Sequence, residues 1–282
     1  MKKQVKYLKR ISITLFLILA TLIYCYAQNN WIKVENIKVE INELPKELIG
    51  LKIAHISDVH LPKNAANIDA IVAKVKKQKP DLIVMTGDII DESADITTCG
   101  LDRLCKGLSE ITQTYAVTGN HEFWNGNVDK WTNILTENNI NVIDNEIQIY
   151  TKDGERLILM GLRDGVSYDP GLFKSLETLN NSPIILLAHR PELFSSYYSE
   201  TNYNNPDLIF SGHAHGGQFR IPLLNKGIVS PNQGFFPEYT SGLYISDSNV
   251  KMIVSRGLGN SIIPIRFNNR PHLPIIELVE AK

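Results

Sequence analysis

Three hydrophobic patterns divide this chain. Residues 11–27 read ISITLFLILATLIYCYA without a charge; as a helix at 1.5 Å per residue they span roughly 25 Å, near the lower limit for crossing a bilayer. Farther on, short apolar runs bounded by polar and turn-forming residues predict buried strands at residues 51–56, 81–85, 115–117, 183–188 and 207–210. Between them, apolar residues recur at helical steps. Ile68, Ile71, Val72 and Val75 form one such face, with lysines opposite and Pro80 as the stop. Leu101, Leu104 and Leu108 form a second, and residues 128–138 a third. Shorter strands are expected around Val142, 147–149 and 157–159, and residues 31–50 lead in as an edge strand carrying Val34, Ile37, Val39 and Ile41.

Strand, helix and strand in succession predict βαβ units with parallel strands and right-handed crossovers. Each strong strand ends in Asp, Asn or His beside small or loop-forming residues: Ser57-Asp58-Val59-His60, Thr86-Gly87-Asp88, Gly119-Asn120-His121-Glu122, His189-Arg190-Pro191 and Gly212-His213-Ala214-His215-Gly216-Gly217. Ligands of open α/β sheets gather at the carboxyl ends of strands, so these five ends are expected to meet at one edge. His213 and His215 are one residue apart where a strand ends, so both rings can enter one space. The glycines beside them allow a sharp turn and close approach of a ligand.

Taken singly, an Asp after a strand is a turn or cap and a His a hydrogen-bonded core or surface group. Jointly they say more, because five of the seven histidines fall at strand ends. His55, in a strand body, and His272, near the C-terminus, read as structural. Asp58, His60, Asp88, Asn120, His189, His213 and His215, with His121 beside them, offer oxygen and imidazole donors and no thiolate. That mixture suits manganese, iron or zinc. It exceeds what one ion needs, and two ions sharing a carboxylate divide it most simply; such a pair suits phosphoryl transfer.

Charge and cysteine content narrow the class. The formal net charge is −1, and −6 without the five cations of residues 1–10, which excludes the basic face of a nucleic-acid binder. Those cations precede the apolar segment and almost none follow it, which predicts an inside N-terminus and an exported remainder, with Tyr24, Tyr26 and Trp31 at the outer interface. Cys25-Tyr26-Ala27 also loosely resembles a cleavage site, so the segment reads as an uncleaved membrane anchor or a signal helix. Residues 1–30 are thus the anchor or signal and residues 31–282 one large domain, without repeats or a dividing linker, expected as a monomer. Cys99 and Cys105 are expected in one helix, too far apart to bridge.

The five ordered motifs resemble those of calcineurin-like metallophosphoesterases. The resemblance covers most of residues 50–280 and implies an α/β fold, a four-layer α/β/β/α sandwich. It implies that Asp58, His60 and His215 hold one divalent ion, that Asn120, His189 and His213 hold the other, and that Asp88 bridges. His121 would stabilise the phosphoryl oxygens or protonate the leaving group, oriented by Asp91 or Glu122 unless these only shape the loop. Residues 215–222, 255–259, 264–267 and 270–271 are similar to the bacterial envelope branch, with membrane-associated phosphodiesterases and hydrolases of UDP-diacylglucosamine-type lipids; His272 stands where that branch has an acid. Asp88 is followed by Ile89-Ile90-Asp91 and not by an arginine, against a protein phosphatase.

The expectation is therefore a phosphoester hydrolase with two Mn, Zn or Fe ions at the outer membrane face, acting on an envelope lipid or a small phosphodiester. A soluble nucleotide phosphodiesterase and a catalytically silent binding module are the alternatives. Arg190, Arg220, Arg256 and Arg266 are candidates for phosphate or a headgroup, or else salt-bridge formers. Phe235-Phe236 is a lipid-facing lip or a packed loop.

Overall fold

Along β2 (Lys52–Ile56) and β3 (Leu82–Thr86) the side chains alternate between two apolar surroundings. Ile53, Leu82 and Val84 face a second sheet, whereas Ala54, Ile56, Ile83 and Met85 face helices. Covered on both sides, such strands read as unbroken apolar runs. The molecule is a computed structural model that describes residues 2–62, 67–165, 170–176, 179, 182–198, 205–260 and 265–281. Pro264, in one of the envelope-type motifs, lies outside the described residues.

The first sheet runs in the order β1 (Lys33–Ile41), β16 (His272–Glu280), β2, β3, β4 (Thr114–Val117), β5 (Ile140–Val142). β2 to β5 are parallel, and β16 pairs antiparallel with β2 and parallel with β1, which is indeed an edge strand. Its outer face carries α2 (Ile68–Gln78), α3 (Leu101–Ser109) and α5 (Val128–Glu137), which contribute Ile71, Leu104 and Trp131 to the core. The second sheet runs β14 (Gly242–Ile245), β15 (Lys251–Val254), β9 (Leu208–Ser211), β8 (Ile184–Leu187), β7 (Glu155–Gly161), β6 (Ile147–Lys152). Leu159, Leu187, Phe210 and Ile253 face the first sheet. Met160, Leu186, Ile209 and Met252 pack outward on Leu172 of α6 (Pro170–Ser175) and on Phe194. The result is the expected four-layer α/β/β/α sandwich. Each of these core side chains contributes roughly 1.5–3 kcal/mol by leaving water, and that burial fixes where the strands end.

Two expectations need correction. The five strand ends come from two sheets, three from the first and two from the second, because the chain crosses over between β5 and β6. Cys99 precedes α3 and is separated from it by Gly100 at φ 93°; only Cys105 is helical, and both thiols are buried and free.

Two small hairpins follow the His215 turn: β10 (Arg220–Ile221) with β11 (Lys226–Gly227), and β12 (Val229–Ser230) with β13 (Gly234–Phe235). At the N-terminus stands α1 (Lys2–Asn30). Within Gln4–Asn30, long and apolar enough to cross a membrane, the most apolar 18 residues have mean hydropathy 1.9 and none of them is buried in the protein.

Candidate metal centre

Asp58 and His60 follow β2, Asp88 follows β3, and Asn120 and His121 open the short helix α4 (Asn120–Asn125) after β4. From the other sheet, His189 follows β8, and His213 and His215 follow β9. Asp58, His60, Asp88, His213 and His215 all have φ between 47° and 61°. This left-handed backbone is unfavourable for side chains of this kind and is typical of functional sites. It turns the side chains inward at the moment the strand stops. Gly212 makes the approach of the two sheets possible: a Cβ there would stand 1.9 Å from Ser57 Oγ and 2.4 Å from Asp58 Oδ2.

All eight residues singled out from the sequence are brought together. His60 Nε2 lies 3.2 Å from His215 Nε2, and His215 Nε2 lies 3.5 Å from Asp58 Oδ1. On the other side, His189 Nε2 faces Asn120 Oδ1 at 3.2 Å, His213 Nδ1 at 3.1 Å and Asp88 Oδ2 at 3.2 Å. Asp88 Oδ2 also stands 3.9 Å from both His60 Nε2 and His121 Nε2. Asp88 is thus common to two neighbouring nests. Asp58, His60 and His215 form one group with donor atoms within 4.8 Å of each other; Asp88, His189 and His213 form another.

The backbone sets the tautomers. His189 Nδ1–H donates to the Thr86 carbonyl at 2.6 Å, which turns its Nε2 lone pair into the second nest. Asp58 accepts from Ser57 Oγ at 2.6 Å and His213 N at 2.9 Å, and Asp88 accepts from His121 N at 2.8 Å. Burial, with His189 beside His213 and His60 beside His215, holds those two imidazoles well below their ordinary pKa, and burial brings His60 to about 4. All three are therefore neutral at pH 7, as ligation requires. Burial opposes charge on His189 too, yet the Asp88 carboxylate raises it to about 10. A proton shared between these two supplies the positive charge that a cation would otherwise bring. Burial and Asp88 push Asp58 up to about 6 against the pull of His189.

These residues fit divalent ions. Lone pairs of oxygen and nitrogen point at each other across 3.1–3.5 Å. That arrangement is repulsive unless a proton or a cation lies between them.

A family model for calcineurin-like phosphoesterases matches residues 51–217, more than half of the chain. The chain belongs to that family. It is a metal-dependent phosphoesterase. The phosphoesterase is 28% identical to a metallophosphoesterase of Bacillus subtilis over 90% of this chain and 87% of that protein. It is 29% identical to a Bos taurus transmembrane protein with a metallophosphoesterase domain, over 88% of this chain and 57% of the longer relative. Among solved structures, the 5'-nucleotidase precursor of Thermus thermophilus aligns with TM-score 0.50 and 14% identity, over 74% of this chain and 49% of that one. This last likeness concerns the fold alone.

The side chains around the phosphoesterase's centre decide between several alternatives. Neither Asp91 nor Glu122 orients His121. Asp91 caps Ser93, and Glu122 accepts the N–H groups of Asp88, Ile89, Ile90 and Gly119. It is the backbone N–H of Glu92 that donates to His121 Nδ1, at 3.1 Å. In the neutral ring the proton then lies on Nε2, facing the nests. Arg190 is clamped by Asp164 at 2.7 and 2.9 Å. Arg266 donates to Asn260 Oδ1 and to the carbonyls of Asn269 and Gly259, a packing role. His55 meets Thr86 Oγ1 at 2.7 Å, and buried His272 meets Glu35 at 3.1 Å, so both are structural. Phe235 and Phe236 are exposed, and so do not form a packed loop.

Two participants escape a reading of the sequence. Glu192 Oε1 stands 3.8 Å from His213 Nε2, and Asn269 Nδ2 donates to the carbonyls of His215 and Gln218, strapping the His215 turn. A lone Glu after Arg-Pro and an Asn in a loop carry no pattern that would mark them.

Proposed function

We propose that the chain is a two-metal phosphoester hydrolase held at the membrane by residues 1–30, with residues 31–282 as the catalytic domain on the extracytoplasmic side. Its substrates are phosphodiester or pyrophosphate bonds of lipid-linked molecules, of which UDP-diacylglucosamine is a representative chemistry. The observation that carries this reading is the pairing of two donor nests around Asp88 with an unburied apolar helix whose end is hydrogen-bonded to the same domain. Lys2, Lys3, Lys6, Lys9 and Arg10 before the apolar run support an inside N-terminus. The Bos taurus relative named as a transmembrane protein supports membrane association.

Asp58, His60 and His215 would hold one ion, and Asn120, His189 and His213 the other, with Asp88 shared. When bound, such ions supply Lewis acidity toward the phosphoryl group and an activated water at neutral pH. The chain supplies the rest. Asp58 and Asp88 set the charge of the centre, and Thr86 and Asp58's backbone partners fix the directions of the donors. His121 presents Nε2–H to a phosphoryl or leaving-group oxygen. Because Nδ1 already accepts from Glu92, releasing the Nε2 proton would leave an unstable anion, so donation of a hydrogen bond is favoured over proton transfer. Arg190 is engaged by Asp164 and not free to grip a phosphate as the arginine of a protein phosphatase does, which favours diesters.

Chelator-stripped full-length protein should be inactive on bis-p-nitrophenyl phosphate and recover with Mn²⁺ or Zn²⁺. The same ions should raise its melting temperature, since binding at 100 times Kd stabilises by about 2.7 kcal/mol. An envelope lipid extract should yield a phosphorylated product. Absence of metal-dependent turnover on every substrate would end the reading. His121→Ala should lower kcat about 100-fold or more while the metal content by elemental analysis stays at the wild-type level. A parallel loss of metal would instead make His121 a ligand.

A further inference from the structure

Beside the end of α1 lies a cavity of about 200 Å³ whose lining includes Lys33, Arg220, Arg256 and Arg270, with Gln28 and Asn225. Among the described residues its ion pairs all go to one carboxylate oxygen, Glu35 Oε2, at 3.1 Å from Lys33 and 3.3 Å from Arg256. Four cations against one carboxylate leave three positive charges in excess. Arg220 is 3% exposed and Arg256 6%. Arg220 bonds only neutral acceptors: the Gly216 carbonyl at 2.7 Å, Thr240 Oγ1 at 3.2 Å, and Asn225. Burying a guanidinium among neutral groups, next to other cations, costs several kcal/mol that an anion in the cavity would offset.

The cavity's position says which anion. Gln28 comes one turn after Tyr24, at the height where interfacial aromatics give way to headgroups. The helix end is fixed to the domain there: Asn269 N donates to Gln28 Oε1 at 3.0 Å and Arg266 N to Asn29 Oδ1 at 2.9 Å. The Tyr24 ring packs edge-on against Phe267 at 5.5 Å, and Arg220 N donates to the Phe267 carbonyl. The hairpin β10–β11 therefore runs alongside Phe267, which runs alongside the helix. At its tip Leu223 and Leu224 are exposed, as are Ile265 and Phe267. Exposed apolar side chains and an apolar helix thus both adjoin a cationic cavity, the combination that a bilayer boundary accommodates.

We propose that this cavity binds the phosphate of an anionic phospholipid headgroup, with Leu223, Leu224, Ile265 and Phe267 seated at the acyl boundary, so that the domain lies on the bilayer beside its own helix. The proposal rests on the membrane reading of α1 but not on the identity of the hydrolysed substrate. It gives the metal centre a fixed height above the lipid, because Arg220 also bonds Gly216 in the turn that carries His215.

The test uses Lys33→Gln/Arg270→Gln, whose residues lie on the rim, outside the metal centre. Full-length protein in detergent micelles is mixed with phosphatidylglycerol, with diacylglycerol, or with phosphatidylglycerol plus inorganic phosphate, and examined by native mass spectrometry. Wild type should retain one phosphatidylglycerol, which the double variant loses by about tenfold or more, and should retain no diacylglycerol. Equal retention by the variant overturns the site. Binding of inorganic phosphate without retention of phosphatidylglycerol overturns the lipid assignment in favour of a free anion. Recovery of the full chain in the soluble fraction without detergent overturns the membrane premise. Turnover of bis-p-nitrophenyl phosphate, measured on the same samples, reports separately on the catalytic reading and should be equal in variant and wild type.

Discussion

Asp88→Asn lowers metal-dependent hydrolysis about a thousandfold, a loss of ~4 kcal/mol at the transition state. The size follows from position. Asp88 is the group within 4 Å of His60, His121 and His189, and so the one common to both nests. Burial works against its ionisation, but His189, His60 and His121 hold its carboxyl well below the usual range, so it is a carboxylate at every working pH. An amide keeps the shape and can still accept from His121 N, but it brings no charge to share between two cations. In chelator the variant should melt below the wild-type temperature, because the carboxylate that the surrounding imidazoles hold ionised, and its pairing with His189, have gone. It also loses the rise in melting temperature on adding Mn²⁺. Turnover above about a tenth of wild type, or an undiminished rise in melting temperature on adding Mn²⁺, would remove Asp88 from the centre of the mechanism.

The parts of this arrangement that the sequence displays are those in which one local property has one structural consequence. Strands β2, β3, β8 and β9 are covered on both faces, so their apolar runs stand out, and the polar residues at their ends are where the sheets stop. Parts that depend on distant pairing are hidden. β16 carries Pro274 within its run, and it is placed between β1 and β2 by partners more than two hundred residues away. Assignment of strands to two sheets is decided at the crossover after β5, where no motif marks it. Of the site, the donors were legible because five histidines, two aspartates and an asparagine recur together at five strand ends. Their supports were not: Thr86 acts through its carbonyl and Glu92 through its N–H, and backbone groups are the same in every residue. The cationic cavity was visible only as separate arginines. Arg190 and Arg266 are engaged elsewhere, while Lys33, which no motif contains, and Arg270, which stands in a motif but was not among the anion-binding candidates, complete it.

Glu122→Ala should be the most destabilising change near the site, costing about 3–5 kcal/mol. The carboxylate is fully buried and accepts four backbone N–H groups: Asp88, Ile89 and Gly119 at 2.8 Å and Ile90 at 3.2 Å. These belong to two loops, the one after β3 and the one after β4, so one side chain ties together the residues that place Asp88 and Asn120. Burial first, and then Asp88, push its carboxyl up to about 7, with the N–H groups of Gly119, Asp88 and Ile90 opposing. Alanine leaves all four without an acceptor in a dry interior. Glutamine is no remedy, because its NH₂ would meet two donors head on, and it should recover less than half of the loss. In a domain of ordinary stability of about 5–15 kcal/mol, the alanine variant melts roughly 10 °C lower. It also binds metal more weakly, although Glu122 touches no donor atom of the nests directly. Asp91→Ala serves as the contrast: it removes only a cap on Ser93 and should stay within about 1 kcal/mol of wild type. A Glu122→Ala protein that melts within 2 °C of wild type, or an Asp91→Ala protein that falls as far, would reverse the assignment of which acid builds the loops.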